Sequence, residues 1–477
     1  MQTLSMTHHK SLGDILRSPL RHMKWYKSKH HHPHHKSPKR DETVVGPQTY
    51  NVGEKDVVAH FMMGLTYTYS QSDFETDITN AVAAGVDGFA LNIGNDYWMM
   101  SKLELVYAAA DALSLDFYLF ISLDMAVMAD VSADTIVSYI TTFASRTHQA
   151  TINNCVLVGT FAGETLMLGG TSVNEGWQTN FKDALASKGV NAFFMPSWSL
   201  DANTIYQNYP VADGFMKWNA WPYFTSTPLS VAEDQIYLKN ARSVGKKYMA
   251  TISPLFFTHF TSKNYTFFSE GLWYQRWMDL ITLQPDYIEV LTWNDYGESH
   301  YVGPTNYSAD FPVDGQTSHA WVDAFSHTAI GRTLPYFISM YKNNTTGLPP
   351  DYDGARRLFF MHRIHSISAT ATSDPIGKPQ NVENLQDLIT LISFSPVGYN
   401  VRVSIGATVL GTVWMPAGVS SGSVSFSNKG VAVAGLPRYE ILNDTTVVAV
   451  GYSPLAILDN SAVVQYNFNF CSGELVW

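Results

Sequence analysis

The sequence contains few of the features by which several classes of protein are recognised. Only two cysteines, Cys155 and Cys471, occur in 477 residues, so a disulfide framework is excluded. Uninterrupted apolar runs all fall short of the roughly 18 residues that a transmembrane helix requires. A Gly-x-Gly-x-x-Gly stretch after a strand, a phosphate-binding loop and the His/Cys spacing of zinc sites are also missing. The composition therefore predicts a globular protein that needs neither membrane, metal nor nucleotide cofactor.

Charged residues are scarce, at 15%, and unevenly distributed around a net charge of -11. Residues 1–40 carry nine Lys or Arg against one acid, Asp14, and eight of the 16 His, so the remainder sums to -19. An acidic body argues against a nucleic-acid partner and suits an uncharged substrate. Residues 1–50 are predicted to be a disordered, basic, His-rich leader, with a metal-binding tail as the alternative.

The compartment stays open from sequence. The leader lacks the apolar core of a secretion signal. Glycosylation sequons nevertheless occur at Asn264, Asn306, Asn343, Asn344 and Asn443. Synthesis without classical secretion and an extracellular or cell-wall location are both compatible with these observations.

Eight short, continuously apolar runs follow one another at spacings of 22 to 40 residues. Continuous rather than alternating apolar character predicts parallel strands that are buried on both faces. The runs are VVAHFMMG (57–64), DGFALNIG (87–94), FYLFISLD (117–124), CVLVGTF (155–161), NAFFMPSW (191–198), DGFMKWNA (213–220), KYMATISP (247–254) and YIEVLTWND (287–295).

Segments with apolar residues at helical spacing separate these runs, for example SKLELVYAAADAL. Eight strand–helix units predict an α/β fold, a (β/α)8 TIM barrel over residues 51–345. An open, doubly wound sheet is the alternative.

Helical periodicity disappears beyond about residue 350. Period-two alternation with Gly, Pro, Ser and Asn between the runs predicts a C-terminal antiparallel β-sandwich over residues 355–477, joined by NNTTGLPPDYDG (343–354). Such a domain either binds carbohydrate or only covers the flank of a barrel, and the sequence favours neither. The strands are predicted at RLFFMHRI, LITLISFS, YNVRVSIG, GSVSFSNKG, GVAVAGL, TTVVAVGY and VVQYNFNF.

Polar and aromatic residues cluster at the carboxyl ends of the eight runs, where the loops of a barrel converge on one mouth. Their convergence predicts an acidic, aromatic pocket and hence an active site. The residues at or just after the run ends are His60, Asn92, Asp124, Glu164, Trp198, Trp218, Asn219, Trp293, Asn294 and Asp295.

Asp295 and Glu298 stand three residues apart directly after the eighth run. This spacing also fits a helix capping box, in which both side chains bind backbone amides. Together with Asp124, however, the pair supplies the carboxylic acid and the carboxylate that hydrolysis of a glycosidic bond requires. Trp faces can pack on sugar rings, while Asn and His bind hydroxyl groups.

Three stretches resemble glycoside hydrolase family 71, the fungal endo-1,3-α-glucanases or mutanases: VVAHFMMGLTYTYSQSDFETDITNAVAAGVDGFALNIG, FYLFISLDM and LTWNDYGESHY. The resemblance implies an inverting hydrolase of the α-1,3-glucan of fungal cell walls, with Asp124, Asp295 and Glu298 as essential carboxylates. The predicted substrate-binding residues are His60, Tyr69, Asn92, Trp198, Trp218, Trp293 and Asn294.

The hypothesis is therefore a monomeric endo-acting glycosidase without metal or cofactor, in which Asp295 activates water, Glu298 is the acid and Asp124 orients the pair. The opposite assignment of Asp295 and Glu298 is nearly as well supported. A wide separation of ~6.5–9.5 Å between the two carboxyl groups is expected for inversion. A barrel glycosidase acting on another glucan, and a non-catalytic glucan-binding wall protein, are the alternatives.

Overall fold

The computed structural model describes residues 49–313 and 316–477. The predicted leader lies outside these residues except for Thr49 and Tyr50. Tyr50 pairs with Ala150 in a short parallel ladder, and its ring lies 4.9 Å from that of Tyr118. Tyr50 is therefore part of the folded α/β region. Within the described ranges, helices that combine the length and the apolar character needed to cross a membrane are absent.

Eight of the ten strands of the main sheet are parallel neighbours, one in each of the predicted apolar runs, and the short strands Tyr50–Asn51 and Ala150–Ile152 extend the sheet at one side. Their residues are almost all buried, as expected for strands covered on both faces. The strands are β1 Val57–Met62, β2 Gly88–Ile93, β3 Tyr118–Asp124, β4 Cys155–Phe161, β5 Ala192–Ser197, β6 Gly214–Met216, β7 Lys247–Ile252 and β8 Tyr287–Val290.

A helix or helical segment follows each strand. The first is started by a capping box, in which Ser70 and Asp73 bind each other's backbone amides. The helices are α1 Gln71–Ala83, α2 Met99–Leu113, α3 Ala133–Phe143, α4 Val173–Gly176 with its continuations Trp177–Asp183 (a π-helix) and Ala184–Ser187, α5 Ile205–Asn208, α6 Ala232–Ser243, α7 Leu272–Leu283 and α8 Leu334–Lys342.

The strands are hydrogen-bonded in the order β5-β4-β3-β2-β1-β8-β7-β6, and every neighbouring pair is parallel. The two ends of this path, β5 and β6, are consecutive in the chain. The N–H of Asp213, the residue before β6, donates to the carbonyl of Phe194 in β5 at 2.8 Å. The α/β fold with a central parallel sheet is thus confirmed.

Alternate residues of the strands belong to two different apolar clusters. One cluster contains a residue from each of the eight strands: Val58, Ala90, Phe120, Leu157, Met195, Met216, Met249 and Tyr287. The residues between them, such as Val57, Phe89 and Ile288, pack with the helices in the largest cluster. We call the side of the sheet that carries the first cluster its inner face.

The C-terminal region contains two four-stranded antiparallel sheets that share one apolar cluster. The prediction of antiparallel strands is confirmed, but VVQYNFNF is not a strand: Asn467 and Asn469 accept hydrogen bonds from nearby backbone amides there, which competes with strand pairing. The two sheets run Gly418–Ser425, Leu388–Ser395, Arg357–His362, Cys471–Val476 and Thr408–Met415, Tyr399–Ile405, Pro437–Asn443, Thr446–Tyr452.

The first C-terminal sheet also packs directly on the α/β region. Phe359 and Phe394 belong to the largest apolar cluster, and the ring of Phe394 lies 5.1 Å from that of Phe337 in α8. The apolar core therefore continues from the parallel sheet through its helices to the C-terminal region. The stretch GVSSG (418–422), which matches the pattern of a serine nucleophile elbow, lies within an antiparallel strand and lacks the strand–turn–helix context.

Candidate active site

His60, Asn92 and Asp124 occupy inner-face positions near the carboxyl ends of β1, β2 and β3, because side chains alternate along a strand. His60 is fully buried, and its Nδ1 lies 2.6 Å from Oε1 of Glu289 on β8. Its Nε2 has no hydrogen-bond partner within the described part of the chain. The ring of the partly exposed Trp218, which follows β6, lies 5.0 Å from the His60 ring. The structure therefore brings predicted residues from several strands to one end of the sheet.

Asp124 is the last residue of β3, as predicted. Burial raises the pKa of its carboxyl, while the N–H of Ala126, which donates at 3.1 Å, and the charge of nearby His60 act to lower it. The Asp124 carboxyl therefore lies close enough to His60 for the two groups to interact electrostatically.

The eighth strand ends at Val290, and not at Asp295 as predicted. Residues 291–301, which we call the catalytic loop after the roles predicted for Asp295 and Glu298, have irregular backbone and contain a cis peptide bond between Leu291 and Thr292. The loop is attached to the first strand, since the N–H of Trp293 donates to the carbonyl of His60 at 2.7 Å. The Asn294 amide binds both backbone groups of Met62, at 2.7 and 3.3 Å.

Asp295 and Glu298 form half of a capping box. The N–H of Glu298 donates to Oδ1 of Asp295 at 2.9 Å, as in a helix start. The reciprocal bond is replaced: the N–H of Asp295 donates to Oγ1 of Thr292 at 2.8 Å. The Glu298 side chain is thereby free for other contacts.

Both oxygens of the Glu298 carboxylate have partners. Oε1 forms an ion pair with Nζ of Lys263, and Oε2 lies 2.6 Å from Nε2 of His300. The same His300 nitrogen lies 3.5 Å from Oδ2 of Asp295. His300 therefore links the two carboxylates, whose side chains are 13% and 19% exposed and open to solvent.

His300 is itself fully buried. Burial lowers its pKa to about 4, although the charge of Asp295 acts to raise it. The imidazole is neutral at any pH well above 4, so Nε2 can, depending on the tautomer, either donate a hydrogen bond to a carboxylate or accept one from a carboxylic acid.

The two carboxylates are closer than expected. One oxygen of each, together with a nitrogen of His300, forms a group whose members lie within 4.8 Å of one another. The separation of ~6.5–9.5 Å expected for an inverting site is therefore not seen between these oxygens. The hydrogen bond from Glu298 N–H to Asp295 explains the difference, because it folds the two residues into one turn.

A model of the family described as "Glycosyl hydrolase family 71" matches residues 53–476. The chain belongs to this family. The resemblance of the three sequence stretches is thus confirmed, and it extends over both the parallel sheet and the C-terminal sheets of this family 71 hydrolase.

Three relatives of this family 71 hydrolase span almost the same length. An ascus wall endo-1,3-alpha-glucanase of Schizosaccharomyces pombe is 61% identical over 423 residues, which cover 89% of this chain and 98% of the relative. A glucan endo-1,3-alpha-glucosidase of the same organism is 38% identical over 88% of this chain and 95% of its own. A mutanase of Penicillium rubens is 29% identical, with coverages of 88% and 89%.

Several residues predicted to bind substrate are almost fully buried in the family 71 hydrolase. Trp198 and Trp293 are each 1% exposed. Trp198 packs against Trp177 and Phe194 in the layer between strands and helices, and Trp293 donates through Nε1 to Asp77. Tyr69 is 2% exposed and packs on Phe74, whereas Asn294 is used entirely by backbone groups. Only Trp218 of the three predicted tryptophans lies on the inner face.

Sequence reasoning missed Lys263, Glu289 and His300. Glu289 gave a signal, because a carboxylate in the middle of an apolar run needs a buried partner. His300 lies within the quoted motif but was not assigned a role. Lys263 comes from a hairpin between β7 and α7, and nothing in its local sequence indicates that it meets Glu298.

Asp295, Glu298 and His300 are also the described residues that could hold a metal ion. Their donor set is acceptable for a divalent cation. The Lys263 ammonium already neutralises Glu298, however, and would repel a second cation at this carboxylate. The absence of a metal from the reaction stays a prediction.

Proposed function

We propose that the chain is an endo-acting glucan 1,3-α-glucosidase that hydrolyses the α-1,3-glucan of fungal cell walls, with Asp295 and Glu298 as its catalytic pair. Family membership and the activities for which the two Schizosaccharomyces pombe relatives are named support the reaction and the substrate. The observation that carries the assignment is the pair itself: two solvent-accessible carboxylates, linked by His300, beside the carboxyl end of β8. Parallel α/β sheets place their chemistry at this end.

Asp295 is the base in this proposal. The hydrogen bond from Glu298 N–H stabilises the charged carboxylate, which must accept a proton from water. Water attacks the anomeric carbon, and its proton passes to Asp295. Glu298 gives its proton to the glycosidic oxygen as the bond between that oxygen and the anomeric carbon breaks.

Glu298 suits the role of acid because neutral His300 can accept a hydrogen bond from its protonated form. Lys263 pairs with the carboxylate that remains after the proton has left, and so stabilises the product of the proton transfer. Asp124, whose carboxyl interacts with His60, keeps its predicted role of orienting or polarising the pair. His60, Asn92 and Trp218 are the substrate-binding residues that we retain.

We further propose that the parallel sheet closes as a (β/α)8 barrel over residues 51–345, followed by a β-sandwich over residues 355–477. The strand order follows the chain order around the sheet, without the reversal that defines a doubly wound fold. The inner-face cluster contains a residue from all eight strands, which a closed sheet brings together and an open one does not. The backbone hydrogen bond between Asp213 and Phe194 supports closure between β5 and β6.

Inversion at the anomeric carbon is retained as part of the proposal, since the family resemblance implies it. The short spacing between oxygens of Asp295 and Glu298 counts against a water molecule lying directly between them. A water molecule on the free side of Asp295 fits this spacing. Proton NMR of the first product decides: release of the β-anomer supports inversion, and release of the α-anomer contradicts it.

The proposed activity is tested by measuring reducing ends released from α-1,3-glucan and, in parallel, from β-1,3-glucan. Release from the α-linked polymer alone is expected, with long oligosaccharides as early products of endo cleavage. Release from the β-linked polymer would assign another glucanase activity. Sedimentation with α-1,3-glucan without any release would instead identify a binding protein. A wall location and a monomeric state are part of the same proposal, to be checked by fractionation and by light scattering.

A further inference from the structure

A short hairpin carries Lys263 to the catalytic carboxylate. Its strands, Phe257–His259 and Asn264–Thr266, lie between β7 and α7 and pair antiparallel. At the tip, Phe260 and Lys263 exchange backbone hydrogen bonds of 2.8 and 3.1 Å, which fixes a tight turn. We call residues 257–266 the Lys263 hairpin.

The hairpin holds the catalytic loop by backbone and side chain. At its base, the N–H of Phe257 donates to the carbonyl of Glu298 at 3.0 Å. At its tip, Nζ of Lys263 pairs with Oε1 of Glu298 and lies 5.7 Å above the ring of Phe256. The Lys263 side chain is 40% exposed, so its position depends on how the hairpin is held.

A segment of the C-terminal region, residues 374–380, lies along the other side of the hairpin. We call it the clamp segment. The hydrogen bonds between the two include His259 Nε2 to Asp374 Oδ2 at 2.9 Å, Asn264 Nδ2 to the Gly377 carbonyl at 3.2 Å, Gln380 N to the Asn264 carbonyl at 3.1 Å and Thr266 N to the Gln380 carbonyl at 3.1 Å.

Asp374 is held in place by further hydrogen bonds within the C-terminal region. Its carboxylate also accepts the backbone amides of Tyr466 at 2.8 Å and Ile376 at 3.0 Å. Partial burial acts to raise the pKa of Asp374, but these amides and His259 lower it below its usual value. On its other side, Nδ1 of His259 lies 2.7 Å from Oδ1 of Asn264, so the carboxylate, imidazole and amide form one continuous chain into the hairpin.

We propose that Lys263 is a positioning residue for Glu298 and that the clamp segment, through Asp374, holds the hairpin so that Lys263 reaches it. The C-terminal region is then a structural part of the active site, whether or not it also binds glucan. The inference rests on the proposed catalytic role of Glu298. It predicts that residues in the C-terminal region affect turnover through Lys263.

The first test compares Lys263→Met with Lys263→Arg by reducing-end release from α-1,3-glucan. Loss of the cation leaves Glu298 with His300 as its remaining side-chain partner among the described residues, so we expect kcat to fall at least about tenfold in Lys263→Met, with KM within about twofold. Arginine keeps the charge and reach, so kcat should be largely restored. Lys342→Met is the matched control: Lys342 is 34% exposed and pairs with Asp87, which is 20% exposed and directly precedes β2.

The second test is a double-mutant cycle between Lys263 and Asp374. If Asp374 acts through Lys263, Asp374→Ala should lower kcat about fivefold in the wild-type background and less than about twofold in the Lys263→Met background. Melting temperatures establish that each variant is folded. Should Asp374→Ala fail to fold, Asp374→Asn, which keeps an oxygen acceptor for the backbone amides, takes its place with a smaller expected effect in the same direction.

Wild-type turnover in Lys263→Met would overturn the role of the lysine, as would a Lys263→Arg variant as slow as Lys263→Met. Additive effects in the cycle would overturn the coupling to Asp374. The wild-type chain is measured in the same assay, so that a failure of the proposed function can be distinguished from a failure of this inference. An inactive wild type refutes the proposed function, whereas an active wild type matched by Lys263→Met refutes this inference alone.

Discussion

Replacing Asp295 by asparagine removes the proposed base while changing the shape of the side chain very little. The asparagine carbonyl can still accept the Glu298 N–H that now lies 2.9 Å from Oδ1, and the bond from Asp295 N–H to Thr292 does not involve the side chain. The change replaces a charge-assisted hydrogen bond by a neutral one, which costs about 1 kcal/mol of unfolding free energy. The turn should therefore persist.

Turnover should respond far more strongly than stability. An amide cannot accept the proton of the attacking water, and general base catalysis contributes ~10²–10⁴-fold to a rate. The expected increase in the activation barrier is thus about 2.7–5.5 kcal/mol, several times the loss in stability. Glu298→Gln, which removes the acid, should lower turnover by at least ~10²-fold for the same reason.

The measurement is kcat on soluble α-1,3-glucan oligosaccharides, with urea unfolding of each variant. Asp459→Asn is a suitable control, because the Asp459 carboxylate also accepts a nearby backbone amide, from Ser461 at 2.9 Å, but lies in the C-terminal region. It should show a similar small change in stability and normal turnover. A folded Asp295→Asn variant with wild-type kcat would refute the assignment of the base, and with it the proton path.

Further predictions concern the aromatic residues and pH. Trp293→Ala should lower the unfolding free energy by ~3–5 kcal/mol, because this side chain is 1% exposed and packs on Phe89; chemical denaturation measures it. Trp218→Ala should instead raise KM with a smaller loss of stability, which steady-state kinetics and the same denaturation will separate. Burial lowers the pKa of His362 to about 4, so the unfolded chain binds more protons between pH 6.5 and 4 and this residue destabilises the fold as the pH falls through that window. In His362→Gln the slope of unfolding free energy against pH should become shallower by up to ~1.4 kcal/mol per pH unit, and an unchanged slope would contradict the buried neutral state.

The strands could be predicted because their burial on both faces leaves a continuous apolar run in the sequence, as in FYLFISLD. The end of the sheet at which a side chain lies could be predicted for residues within a strand, and Asp124 and His60 therefore lie where expected. Beyond Val290 the backbone is irregular, so the position of Trp293 at the end of the eighth run did not indicate that its side chain is buried. The partners of Glu298 could not be predicted from the sequence, because Lys263 meets Glu298 through a tertiary contact that leaves no pattern in the sequence around Lys263. VVQYNFNF was misread for a local reason: asparagine side chains bind the backbone that a strand would use.

The catalytic loop is attached to β1, and this attachment affects the order in which parts of the molecule can fold. Val57 pairs with Ile288, and Met62 binds Asn294 at a sequence separation of 232, so the site depends on contacts between the first and last strands of the parallel sheet. Contacts of such long range form slowly, since the loop they close must lose its freedom first. A ribosome-bound chain that stops before β8 can pair its first strand with β2, but not yet with β8 or the catalytic loop. We therefore expect activity to return during refolding at the rate at which these two strands pair. Folding intermediates that already contain most of the helices should still be inactive.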